Sequence, residues 1–197
     1  MNGLSDDPHE LFGSWYAKAS RHPEVADASA VNLATASKDG MPSNRMVLLK
    51  GHDASGFVIY TNLGSRKANE LTANPLAALC FHWAPLRLQI RIEGSVQPVS
   101  EAEADAYFAS RPLASRIGAW ASKQSAPLES RGKLLARIAR ITSSFALRDP
   151  GRPPFWSGFR IVPRRFEFWT KGEYRVHDRV VFEKQDNDRW ERYLLYP

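Results

Sequence analysis

Between Phe166 and Arg179 the chain reads Phe-Glu-Phe-Trp-Thr-Lys-Gly-Glu-Tyr-Arg-Val-His-Asp-Arg, an unusual density of charge beside apolar residues. Phe166, Phe168 and Trp169 favour a strand, and Lys171 and Gly172 supply turn chemistry, so the stretch predicts a hairpin. In an extended second arm, alternation sets Arg175, His177 and Arg179 on one face and Val176 and Asp178 on the other. Two guanidiniums with an imidazole between them suit a phosphate or an electron-rich ring. A solvated edge strand, charged against aggregation, accounts for the same row.

Three further stretches carry chemistry. Tyr107, Arg111 and Ser115 recur every four residues, which on a helix groups a hydroxyl, a guanidinium and a second hydroxyl as a phosphate clamp; Pro112 interrupts the regularity. In the block Tyr60 to Lys67, Ser65 caps a helix running to about Ala73, with Arg66 and Lys67 in its first turn. Cations there oppose the helix dipole, and free backbone donors beside them make an anion site; a capped surface helix is the plainer account. Arg45 and Lys50 bracket the apolar run Met46 to Leu49. Strict alternation puts those two cations on opposite faces, which calls for a bulge or twist, or for two ends serving different sites.

The elements that position these residues read as α+β. Asp7, Pro8 and Glu10 start a helix whose apolar side is Leu11, Phe12, Trp15, Tyr16 and Ala19. Strands are predicted at Ala30–Ser37, about Asn44–Lys50, Phe57–Thr61, Leu76–Trp83 and Leu86 to about Val96, as an antiparallel meander with turns at Lys38–Gly40 and Asp53–Gly56. In the last of these, Leu88, Ile90 and Ile92 face one way, and Arg87, Gln89, Arg91 and Glu93 the other. Ser100 and Glu103 open a helix through Tyr107 and Phe108. A longer helix carries Arg131, Lys133, Arg137 and Arg140 opposite Leu134, Ile138, Ile141 and Phe145. A loop at Asp149–Pro154, a strand at Phe155–Val162, the hairpin and a last strand at Arg189–Tyr193 complete an antiparallel barrel with peripheral helices.

With 197 residues, 43% of them hydrophobic, the chain suits one domain over residues 1–197. Its single cysteine, Cys80, excludes an internal disulfide and a cysteine-rich metal cluster; set between Leu79 and Phe81, it predicts a buried, inert thiol. No apolar run reaches the roughly 20 residues of a membrane helix, and no leader is legible at the N-terminus, so a cytoplasmic protein without a membrane partner is expected. The net charge of +6 raises nucleic-acid binding, but the cations are scattered and suit small anionic ligands instead.

Taken together, these segments resemble the pyridoxamine (pyridoxine) 5′-phosphate oxidases, FMN enzymes of vitamin B6 metabolism, in the same order and over nearly the whole chain. The resemblance implies an FMN-binding split barrel and a homodimer with two FMN sites at its interface, each lined by both chains. It assigns Arg45, Tyr60, Thr61, Arg66, Lys67, Gln89, Gln124, Ser125, Trp169 and Arg179 to FMN, with Lys50 between flavin and substrate phosphate. It assigns Tyr107, Arg111 and Ser115, with Lys50, to that phosphate, and Arg175 and His177 to the substrate ring near C4′. The implied reaction oxidises pyridoxine or pyridoxamine 5′-phosphate to pyridoxal 5′-phosphate, with hydride passing from C4′ to flavin N5 and O2 returning as hydrogen peroxide. His177 is open to two roles, proton transfer or orientation alone.

Three departures from the family pattern bear on these expectations. Leu88 stands where arginine is usual, and Arg116 where glutamine is more usual. The chain is also expected to lack the basic N-terminal segment that folds over the substrate in family members. Two rivals stay open: a related split-barrel flavoenzyme acting on another substrate, such as the phenazine-pathway oxidases, and a non-catalytic carrier of FMN or pyridoxal phosphate. The set Tyr107, Arg111 and Ser115 speaks against the first.

Overall fold

A computed structural model describes residues 5–146 and 148–197; the first four residues, on which the expectation of no leader rests, lie outside them. The strands are β1 (Ala30–Ala36), β2 (Pro42–Leu48), β3 (Gly51–Asp53), β4 (Gly56–Asn62), β5 (Leu76–Trp83), β6 (Leu88–Pro98), β7 (Trp156–Thr170), β8 (Asp178–Lys184) and β9 (Trp190–Leu194). The helices are α1 (Pro8–Arg21), α2 (Arg66–Ala73), α3 (Glu101–Ser110), α4 (Leu113–Ala121) and α5 (Arg131–Ser144).

All strand pairs are antiparallel and form one sheet ordered β2-β1-β5-β6-β7-β4-β3, with β8 pairing β7 and β9 pairing β8. The simple meander therefore fails at β4, which pairs with β7 rather than with β2. The cause is the length of β7. The two strands expected around Val162 and Phe166 are one strand of 15 residues, pairing β4 through Phe57↔Ile161 and β8 through Phe166↔Phe182. The curl is sharpened by a bulge between Glu93 and Gly94, opposite Pro163. A Cβ on Gly94 would lie 2.0 Å from the Val162 carbonyl oxygen, so only glycine allows this approach.

Inside the curl lies the main apolar core. Alternation along β6 buries Leu88, Ile90 and Ile92, while α1 inserts Leu11, Phe12 and Ala19. The Phe12 ring meets Phe57 edge-on at 4.7 Å and Phe81 at 5.2 Å, the offset geometry that aromatic quadrupoles favour. Asp7 caps α1 by accepting from the His9 amide at 2.8 Å. Cys80 corrects an expectation: it is half-buried, because alternation turns it away from the core that Leu79 and Phe81 enter. Burial still raises its thiol pKa, which keeps it protonated and unreactive. In α5, likewise, no residue is fully buried in the single chain.

His9 sits half-buried among Phe166, Trp190 and Phe57, its ring 5.2, 6.0 and 6.2 Å from theirs. Burial lowers its pKa, against the opposing pull of Asp7 and Asp53. Protonation is thus easier in the unfolded chain, and stability drains away as pH falls below about 6.5, the unfolded value. We expect the thermal midpoint to decline by a few degrees between about pH 7 and 5.5, and His9→Gln to flatten that part of the profile. Parallel profiles for the two proteins would remove His9 from the acid response.

Candidate active site

The hairpin around Gly172 forms, but its second arm is not extended where the alternation required it. A 3-10 turn spans Glu173–Arg175, Tyr174 and Arg175 take φ values of 52° and 66°, and β8 starts only at Asp178. The loop folds back so tightly that a Cβ on Gly172 would lie 1.6 Å from the Val176 carbonyl oxygen. Arg175, His177 and Arg179 accordingly do not share one strand face. Arg175 and His177 line a cavity of about 550 Å³ with Arg87 and Lys171. His177 Nδ1 accepts the Gly172 amide at 3.3 Å, and its ring lies 4.7 Å from Trp169. Gly172→Ala must displace this loop, and a shift of about 1 Å at a reacting group costs on the order of 10²-fold in rate; a variant with undiminished turnover would separate the loop from the chemistry.

Arg179 turns to Glu167 instead, with Nε donating to Oε1 at 2.8 Å and Nη1 donating to the Tyr196 carbonyl at 2.9 Å. Glu167, buried to 2% exposure, also accepts from Arg91 at 3.2 Å. Gln89, Trp169 and Arg179 lie side by side across β6, β7 and β8. Arg87, by contrast, precedes β6 in the left-handed region at φ 57° and takes no part in its alternation. Leu88 is buried in the core, on the face away from Gln89.

The larger cavity, about 700 Å³, gathers Arg45, Lys50, Tyr60, Thr61, Lys67, Tyr107, Arg111, Ser115 and Gln124. No residue lines both cavities. The Arg45–Lys50 alternation resolves without a bulge: β2 ends at Leu48, and the chain crosses to β3, with Leu49 N–H donating to the Ser29 carbonyl and Lys50 N–H to that of Val58. This change of strand returns Lys50 to the side of Arg45. Tyr107 and Ser115 likewise do not share a helix. α3 stops at Ser110, Arg111 is its C-cap, and α4 begins after Pro112, so a helix break rather than helical spacing makes the three converge.

Arg111 is held by stacking. Its Cζ lies 4.9 Å from the centre of Trp156 and 5.4 Å from that of Phe108, while its buried Nη1 has no hydrogen-bond partner among the described residues. An unmatched buried guanidinium nitrogen is costly, and an anion in the cavity would satisfy it. Burial lowers the Arg111 pKa, with Tyr107 opposing. Tyr60 stacks on Tyr107 at 4.0 Å and on Trp156 at 5.3 Å. Burial, followed by the nearby Glu103 carboxylate, pushes the Tyr60 phenol up to about 12, so it remains a neutral donor.

At the other end, Lys67 Nζ donates to Thr61 Oγ1 at 3.2 Å and Gln124 Oε1 at 3.1 Å, and burial, with Arg45 nearby, lowers its pKa. Arg66 and Ser125 stand just outside the cavity lining, the Arg66 amide donating to Ser125 Oγ at 3.2 Å. Ser65 caps α2 by accepting from the Ala68 amide. Two residues here escaped the sequence reading. Trp156 was legible only as a strand residue; Glu70 had a signal in its four-residue spacing from Arg66. Arg116 lies outside the cavity and grips Asp149 with Nη1 at 2.6 and 2.7 Å.

A family model described as pyridoxamine 5′-phosphate oxidase matches residues 19–145, and one described as pyridoxine 5′-phosphate oxidase C-terminal dimerisation region matches residues 156–197. A pyridoxine/pyridoxamine 5′-phosphate oxidase of Sphingopyxis alaskensis is 57% identical over 194 residues, covering 98% of this chain and 89% of that protein. Among solved structures, PhzG from Burkholderia lata, in complex with tetrahydrophenazine-1-carboxylic acid, superposes with a TM-score of 0.90 at 32% identity, covering 100% of this chain and 95% of that one. A pyridoxamine 5′-phosphate oxidase-related, FMN-binding protein from Nostoc punctiforme has the same fold, with a TM-score of 0.77 at 18% identity over 98% of this chain and 100% of that one. The antiparallel split barrel with peripheral helices is the shared architecture.

Proposed function

The chain belongs to the pyridoxamine 5′-phosphate oxidase family of FMN-dependent oxidoreductases, and from that premise we propose that it oxidises pyridoxamine or pyridoxine 5′-phosphate to pyridoxal 5′-phosphate. The observation that carries the substrate class is the half-buried Arg111 guanidinium, set over Trp156, whose buried Nη1 lacks a hydrogen-bond partner among the described residues, beside Tyr107, Ser115 and Lys50. Those groups match a phosphate monoester: a dianion, with donors around it and no carboxylate among the cavity's lining residues.

The donor set also fits FMN. Lys67, Gln124, Thr61 and Arg45 offer charge and hydrogen bonds at the end of the cavity nearest the start of α2, where backbone amides favour a phosphate. Bound there, the flavin supplies the two-electron acceptor, with O2 as final oxidant and hydrogen peroxide as product. The protein's own part is placement. Lys50, Tyr107, Arg111 and Ser115 fix the substrate phosphate, and Arg175 and His177 face its ring near C4′. Because His177 Nδ1 accepts a backbone amide, a neutral imidazole carries its proton on Nε2 and presents a donor, which favours orientation of the substrate.

Division of these residues between two separate cavities supports a homodimer in which each site takes Arg175 and His177 from one chain and the phosphate clamp from the other. The match to a dimerisation region over residues 156–197 and the exposure of Met46 and Leu48 on β2, 61% and 42%, support the same reading. A cytoplasmic location goes with it; no helix among the described residues is long and apolar enough to cross a membrane.

The test is a visible spectrum of the purified protein before and after anaerobic addition of pyridoxamine 5′-phosphate. Bleaching of bound flavin, reversed by air with release of peroxide, is expected. A yellow protein that does not bleach would direct the search to a substrate without phosphate or to a carrier, and one unable to take up FMN would overturn the reading.

A further inference from the structure

Glu70 is buried to 6% exposure, yet none of the residues expected to hold cofactor or substrate is acidic. Its Oε2 accepts from Thr35 Oγ1 at 2.5 Å, from Ser43 Oγ at 2.7 Å and from Arg45 Nη2 at 3.2 Å, while Oε1 accepts from Arg66 Nε at 2.8 Å. A solvent-exposed ion pair at four-residue spacing contributes little. This one is different: a single desolvated carboxylate ties α2 to β1 and β2 and meets two guanidiniums from separate elements. Removing a buried carboxylate from such a network leaves its donors unmatched.

The atoms it engages decide what the two arginines can still do. Arg45 is half-buried and held on both η nitrogens, with Nη1 donating to Thr35 Oγ1 at 2.5 Å and Nη2 to Ser43 Oγ at 2.5 Å as well as to Glu70; its guanidinium is a fixed charge with one orientation at the cavity wall. Arg66 is gripped only through Nε, and neither of its η nitrogens bonds another described residue. Its side chain is 61% exposed. Holding the Nε edge directs the two η nitrogens away from the protein, as a fork for an anion beside the Lys67 ammonium.

We propose that Glu70 is a positioning residue for the cofactor cradle, which locks Arg45 in place and aims the free edge of Arg66 at the FMN phosphate. The inference rests on the reading of Arg45 and Arg66 as FMN residues. Glutamine cannot replace the carboxylate, since its amide nitrogen would face a guanidinium or a hydroxyl already donating to that position. Aspartate keeps the charge but shortens the reach.

Apoprotein titrated with FMN and separately with riboflavin, followed by quenching of flavin fluorescence, tests this without reference to turnover. Glu70→Gln is expected to weaken FMN on the order of tenfold, the lower end for loss of a partner that orients a ligating group, and riboflavin far less, because only FMN carries the phosphate. In an Arg66→Ala background, Glu70→Gln should weaken FMN by less than it does alone, since the two act through one group. Equal weakening of FMN and riboflavin, or full additivity with Arg66→Ala, would mark Glu70 as merely structural and overturn the inference. So would unchanged FMN binding by Glu70→Gln beside weakened binding by Arg66→Ala, and that pattern would leave the cofactor reading intact. If Arg45→Ala and Arg66→Ala both bind FMN as the parent does, the cofactor reading of these arginines fails first. Should Glu70→Gln not fold, Glu70→Asp carries the same comparisons.

Discussion

Arg111→Ala is expected to lower kcat/KM for pyridoxamine 5′-phosphate by about 2–5 kcal/mol, the range for removing one side of a buried charged contact, or roughly 30- to 5,000-fold. The size follows from burial. Set against Trp156 and Phe108, with its Nη1 buried, the guanidinium is already partly desolvated and oriented, so little ordering remains to be done when a phosphate arrives. Truncation also removes packing, and Arg111→Met, which keeps an apolar stem against the rings, should show the same kinetic defect with less loss of thermal stability. Steady-state rates with phosphorylated and unphosphorylated vitamers decide the matter. The variants and the parent should converge on the unphosphorylated compounds, and an equal loss on both would take Arg111 away from the phosphate.

Arg175→Ala is expected to reduce turnover by roughly 10²–10³-fold, the loss typical of one preorganised donor at a reacting centre, while the flavin content per chain stays that of the parent. The two readouts separate because Arg175 lines a cavity apart from the one holding Lys67 and Gln124. Stability should change little. The side chain is exposed, and the left-handed φ of 66° costs alanine about what it costs arginine, roughly 1–2 kcal/mol. An unchanged rate would remove Arg175 from the active site, and loss of flavin would reassign it to the cofactor.

Glu70 also bears on acid stability. Burial alone would raise its pKa, but hydrogen bonds from Ser43, Thr35, Arg66 and Arg45 hold it down at about 2. A depressed carboxylate contributes stability that is complete above its unfolded value of about 4.3 and is lost as pH falls towards 2. The cradle is therefore fully charged throughout the neutral range, and its acid loss lies well below the pH at which His9 acts.

Much of the fold was legible because local rules and the tertiary structure agree. Strand β5 begins and ends at the expected residues, α2 starts from its serine cap, and Leu88, Ile90 and Ile92 enter the core as alternation requires. In each case the period of the backbone alone selects the buried face. The chemistry of the site was legible as residue types at their spacings, and the resemblance supplied their roles. Where alternation or helical spacing failed, a tight turn, a change of strand or a helix break had intervened. The arm after Gly172 is not extended, because the Val176 carbonyl closes on the glycine. Lys50 joins Arg45 because the chain changes strand; Tyr107, Arg111 and Ser115 converge across a helix break. Sequence by itself offered cations and hydroxyls suited to anions, and the resemblance proposed their division between flavin and substrate. Only the tertiary structure decided that Trp156 would orient Arg111, that Glu70 would gather two arginines, and that one protomer would keep its two groups of site residues in separate cavities. Apart from Arg66 and Glu70, one helical turn apart, such partners lie tens of residues apart, and no local periodicity encodes a meeting made by the curl of a sheet.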